Sequence, residues 1–175
     1  MHKAVSFTIG SIVIRGCGNS QQIENMCKPP KFVSPETIDH CRWKTALKKA
    51  VKLINPNDYN KPFNEILLDM YNLCKPIKGL GKLVCYDLAA DLARYHGIIV
   101  DKVYIIGNGP KRAIKLLNIT ITKIKKIKIG CIFHYVEIID VIKAFKQFKQ
   151  FKELEIDETN GDILESYLCN WQKDR

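Results

Sequence analysis

From Ser34 to Leu117 apolar residues return every three or four positions, the spacing of helices that bury one face. That rhythm is broken twice by the same device, "IKGLG" at 77–81 and "IIGNG" at 105–109. Short breaks force neighbouring helices to pack together, so they constrain the fold more than any other feature. "SPETIDHCRWKTALKKAVKLI" opens as a helix should. Ser34 is placed as N-cap, Pro35 sits in the first turn, and Glu36 suits the positive end of the dipole. Ile38, Ala46, Leu47, Ala50, Val51 and Ile54 share its apolar face, and "NPNDYN" ends it. "KPFNEILLDMYNLCK" predicts a second helix, with Phe63, Ile66, Leu67, Met70, Leu73 and Cys74 on one side. "KLVCYDLAADLARYH" predicts a third, closed by Gly97 as C-terminal cap. "VDKVYII" then reads as a short helix before the second break, and "KRAIKLL" as the helix after it.

Beyond Asn118 the pattern changes. "ITITKIKKIKIG" combines strand-like β-branched density with lysines spaced for an exposed face, and its conformation stays open. "YVEIIDVIKAFKQFKQFKEL" reads as helix, with Phe145, Phe148, Phe151 and Leu154 as core, and "GDILESYLCNWQKDR" as a closing helix with Leu164, Leu168 and Trp171 inward. At the other end, "MHKAVSFTIGSIVIRGCGNS" reads as a β-hairpin turning at Gly10-Ser11. Arg15 stands where a lipoprotein signal needs a small residue, which disfavours export. The expected fold class is mainly α: an N-terminal β-hairpin and loop over 1–33, then a helical domain over 34–175 with hairpins at 77–82 and 105–111.

The chain has 175 residues and a formal net charge of +10, which favours a polyanionic partner. No run is long enough to span a bilayer, so no membrane partner is expected. Seven cysteines, an odd number without a C-x-x-C pair, suit reduced thiols in the cytoplasm or another reducing compartment. His40 beside Cys41 lacks a second ligand pair, so no metal or other cofactor is expected. Asp87 and Asp91 stand one helical turn apart and read as an exposed acidic strip.

In both breaks an aliphatic residue precedes Gly-x-Gly, and a small residue, Cys85 or Ala113, follows the second Gly by four places. The first glycines, Gly79 and Gly107, are 28 residues apart. This pattern resembles two copies of the helix-hairpin-helix motif over about residues 61–117. "GNGPKRAIKLL" follows the motif closely but has Asn108 where an Ile or Val is usual; "GLGKLVCYDLA" keeps Leu80 but has Cys85 for Ala. The resemblance implies nucleic-acid binding of the kind found in repair and recombination proteins. "IKGLGKLVCYDLAADLARYHGI" followed by "DKVYI" also resembles an uncharacterised bacterial family, which implies no function.

The residue types support phosphate contact on their own. Gly-x-Gly admits close backbone approach, and the following helix directs unpaired N–H groups and its positive end outward. The expected nucleic-acid-binding residues are Lys78, Gly79, Leu80, Gly81, Lys82, Gly107, Asn108, Gly109, Lys111, Arg112 and Lys115. Between Lys102 and Val136 there are eight cations and no acidic residue. Such contacts read the backbone, so binding should be sequence-independent and salt-sensitive, with DNA the favoured ligand.

Two rivals stand beside this reading. Helix-hairpin-helix glycosylases place a catalytic Asp about twenty residues past the hairpin, and Asp101 lies twenty past Gly81. However, Lys102 and Val103 follow it where the family has small or polar residues, and Leu83 stands at the lyase-type Lys position. The bland role for Asp101 is N-cap of the short helix before "GNGP". The second rival is a protein-interaction factor in which both glycine pairs only turn corners.

Overall fold

The computed structural model describes residues 44–147 and 160–172. The N-terminal hairpin and loop expected over 1–33, the Ser34 cap, and Phe148, Phe151 and Leu154 lie outside these residues. The described chain is mainly helical with a small three-stranded sheet. It divides into two compact units, 1–98 and 99–175, so the two Gly-x-Gly turns fall in different units.

The first unit contains α1 (Lys44–Lys52), a 3-10 turn (Pro56–Tyr59), α2 (Phe63–Cys74) and α3 (Lys82–Tyr95). In α1 the expected face is inward: Leu47, Ala50 and Val51 are buried, as is Ile54 just beyond. α2 buries Phe63, Ile66, Leu67, Met70 and Cys74 and packs against α3. An edge-to-face contact of Phe63 with Tyr86, centroids 5.9 Å apart, ties the two helices together. α3 ends as Gly97 predicts. Gly97 has φ +68°, its N–H donates to the Arg94 carbonyl, and the Ile98 N–H donates to Ala93, which is a Schellman closure.

Every residue of α3 from Cys85 to Ala93 is buried, including Asp87 and Asp91. The acidic strip is therefore not exposed, contrary to expectation. A helix covered on all sides must satisfy its charges internally, and Asp91 Oδ1 accepts a 2.6 Å hydrogen bond from Arg94 Nη1 within the helix.

The second unit contains β1 (Val103–Tyr104), α4 (Asn108–Leu116), a 3-10 turn (Ile121–Lys123), β2 (Lys125–Ile129), β3 (Cys131–Val136), α5 (Ile138–Lys146) and α6 (Gly161–Trp171). The sheet is antiparallel in the order β1-β3-β2. Gly130, at φ +65°, joins β2 to β3. The open stretch after Asn118 is thus a 3-10 turn and an edge strand. Its lysines face solvent, a common way of protecting a strand edge from unwanted pairing. Tyr135 and Val136, expected in helix, complete β3, and helix begins at Ile138. Val103 and Val136 share one sheet face with a core of Ala113, Ile114, Leu117, Phe145, Leu164 and Leu168.

"VDKVYII" is not a helix. Val103 and Tyr104 pair with Val136 and Tyr135, and Ile105 N–H donates to the His134 carbonyl at 2.8 Å. The sheet ladder from β3 outweighs a segment too short to nucleate a helix of its own.

Candidate nucleic-acid interface

The first turn has the order helix, turn, helix. Ile77 N–H donates to the Cys74 carbonyl and Leu80 N–H to Ile77, closing the chain back on itself. Gly79 takes φ +97°, which a side chain would resist at the third position of a type II turn. Gly81 is the N-cap of α3 in ordinary extended backbone, φ −115° and ψ −176°. A Cβ built on Gly81 meets no atom within 4 Å, so the approach to this helix end is open.

α3 starts with no side-chain cap and no acidic residue in its first turn. Its leading N–H groups have no partner within the helix, because the first intrahelical bond is Cys85 N–H to Gly81. Lys78, Gly79, Gly81 and Lys82 are exposed and Leu80 is half-buried. Backbone donors and the positive end of a helix thus stand at an accessible turn, with Lys78 and Lys82 exposed beside it in sequence.

The second turn differs in what precedes it and in what covers it. It joins a strand to a helix. Gly107 is the N-cap of α4 at φ +74° and ψ −173°, backbone open to glycine and to little else. Gly109 lies inside the first turn of α4, and its added Cβ would stand 2.8 Å from Cys169 Sγ on α6. Its small size is thus required by helix packing. Pro110 is buried at the third helical position and has no N–H to offer. What this turn presents outward is charge: Asn108, Lys111, Arg112 and Lys115 are exposed along one side of α4, while Ala113 and Ile114 face the core.

The basic run is less positive than its composition suggests. Lys102 pairs with Asp101 and lies 5.7 Å from the Tyr135 ring centroid. Lys123 reaches Asp140 and Lys125 reaches Glu137, each at 2.6 Å. The Glu137 hydrogen bond raises the Lys125 pKa. The acidic partners come from positions flanking the run, so a sequence window counted without them overstates the patch. Lys111, Arg112, Lys115, Lys126 and Lys128 stand outside those three pairs.

Asp101 is exposed and precedes a strand. It therefore caps no helix, and its carboxylate is engaged by Lys102. Among the described residues no group of three or more His, Cys, Asp or Glu side chains is arranged to hold a metal ion. No helix among them is long and apolar enough to cross a membrane.

Sequence reasoning missed the buried carboxylates of α3 and the contact between Gly109 and α6. Neither leaves a local signal, since both depend on which distant element covers the residue. Comparison with family models, with curated proteins and with solved structures finds no match to this chain.

Proposed function

We propose that this chain binds the sugar-phosphate backbone of nucleic acid, DNA in the first instance, without reading sequence. The observation that carries the reading is the open, uncapped start of α3: Gly81 has free space where a side chain would stand, between exposed Lys78 and Lys82. A phosphate oxygen there accepts from leading N–H groups that lack intrahelical partners and lies at the positive end of a 14-residue helix. In the second unit, the exposed Lys111, Arg112 and Lys115 of α4 are a separate basic surface for the same kind of polymer.

The test is a binding titration against duplex, single-stranded and branched DNA at two salt concentrations, with Gly81→Asp beside the parent chain. Asp is a favoured N-cap and fits the extended backbone at Gly81, so α3 should keep or slightly gain stability. It also places a carboxylate where the phosphate would sit. Binding that weakens at high salt and drops at least tenfold in Gly81→Asp, with an unchanged melting curve, supports the reading. Parent-level binding in Gly81→Asp rejects this helix end as the contact, and no binding by either protein rejects the function.

A further inference from the structure

The sheet of the second unit ends on β2, whose outer side meets no other strand among the described residues. Which backbone groups that edge exposes follows from the ladder. The His134 carbonyl accepts from Ile105 N–H, so the backbone polar groups of His134 point toward β1. Successive residues of an antiparallel strand point alternately to its two neighbours, so those of Phe133 and Tyr135 point toward β2. Their partners there are Ile127 and Lys125. The N–H and C=O groups of Lys126 and Lys128 are therefore turned outward, to the open edge.

The same alternation sorts the side chains. Lys126 and Lys128 stand with His134 and Ile132 on one face of the sheet, and all four are exposed. Ile127, half-buried, lies between the two lysines on the other face. Lys125 is held by Glu137, whereas Lys126 and Lys128 stand outside the ion pairs described above.

We propose that β2 is a docking edge for an extended acidic peptide, which joins the three-stranded sheet as a further strand with acidic side chains at alternate positions. In antiparallel addition, one peptide residue opposite Lys126 and another opposite Lys128 each exchange two backbone hydrogen bonds with the lysine. Those peptide residues are two apart and share the lysine face, where carboxylates meet the ammonium groups. The residue between them falls beside Ile127, which favours an apolar side chain. The recognised unit is thus acidic–apolar–acidic, a pattern set by register and not by net charge alone. A second copy of β2 does not fit, because self-pairing sets lysine against lysine. Nucleic acid meets the charge but offers no row of N–H and C=O groups to continue the ladder. The inference uses neither glycine turn, so it stands apart from the phosphate reading of α3.

The experiment uses the full chain and a short capped peptide of alternating glutamate and valine, with amide hydrogen exchange followed by NMR. Without peptide, the outward N–H groups of Lys126 and Lys128 should exchange quickly, and that of Ile127, directed at Phe133, slowly. Saturating peptide should slow Lys126 and Lys128 by roughly tenfold or more and change Ile127 far less. A peptide of the same composition, with its glutamates in one block and its valines in another, should give no such protection. Lys126→Glu with Lys128→Glu should lose the glutamate peptide and bind an alternating lysine–valine peptide instead. The proposal is overturned if the alternating peptide protects neither lysine amide, or if the block peptide protects both equally. It is also overturned if a DNA duplex protects those amides and the peptide does not. Exchange in the parent chain decides between these outcomes whether or not the variant folds.

Discussion

A methyl group on Gly109 would come within 2.8 Å of Cys169 Sγ, and within 3.6 Å of the Cys169 Cβ. The second glycine of the second turn is therefore small because α4 and α6 approach closely there. Gly109→Ala sets two effects against each other. Alanine favours a helix over glycine by roughly 0.8–1 kcal/mol, while crowding a packed contact costs about 1–3 kcal/mol. Net destabilisation of about 1 kcal/mol is expected in chemical denaturation. In a Cys169→Ala background the Sγ is gone, and the same change should become neutral or stabilising. If the two substitutions prove additive, this contact does not govern the position.

Gly161 makes a harsher contact at the other end of α6. Its N–H donates to the Val100 carbonyl at 2.7 Å, and its added Cβ would stand 2.0 Å from the Lys102 carbonyl oxygen. No flexible side chain can yield here, because the obstacle is backbone leading into β1. Gly161→Ala should destabilise the unit by more than Gly109→Ala, about 3 kcal/mol or above on the scale of severe core lesions. Gly81→Ala should change stability by less than about 1 kcal/mol, reflecting only a weaker N-cap, since nothing lies near its added Cβ. Comparable losses at Gly81 and Gly161 would contradict this ranking.

Tyr104 gives a pH signature. Burial raises its phenol pKa above the ordinary value of 10.0, with the charges of Asp101 and Tyr135 acting the same way. The folded state therefore keeps the proton that the unfolded chain releases. This contribution to stability is complete below pH 10 and is lost as pH climbs from there toward the raised folded value. Tyr104→Phe should remove that part of the alkaline decline, measured as the difference between the two proteins in unfolding free energy from pH 8 to 11. Parallel curves would show that the phenol does not titrate differently on folding.

How far the sequence could be read follows from where the information lies. The spacing of Phe63, Ile66, Leu67, Met70 and Cys74 is itself the physical cause of a one-faced helix, so α2 was legible almost residue by residue. Gly97 was legible because a positive φ at a helix end is a local demand. β1 was not legible, since two residues become a strand only when Val136 and Tyr135, more than thirty positions later, supply their partners. Asp87 and Asp91 looked exposed for the same reason. Helical spacing shows which residues share a face, but it does not say whether a second layer covers the opposite one. At the candidate interface, both glycine turns could be seen in advance, while the open space at Gly81 and the crowding at Gly109 could not. They differ in the element packed beside each turn, and that element is distant in sequence.

The final prediction separates docking from diffuse attraction on the basic side of α4. Lys111 and Arg112 are exposed beyond the Gly107 turn, and replacing both with Gln removes two charges without altering the helix start. If both contact phosphates of a duplex, the slope of log affinity against log salt should shrink by about 1.8 at most, equally for all sequences. Lys123→Gln with Lys125→Gln is the matched control. Those lysines are already held by Asp140 and Glu137, so their removal should change the slope less. Gly107→Val probes the backbone: at φ +74° a β-branched residue is strained, so a melting curve must accompany each titration. A slope change confined to Lys111 and Arg112 supports contact by α4. Equal changes in both lysine pairs would mean that the whole basic surface attracts the polymer and that α4 provides no particular seat. An unchanged slope in the α4 pair, with binding retained, would leave α3 as the contact and remove α4 from the interface.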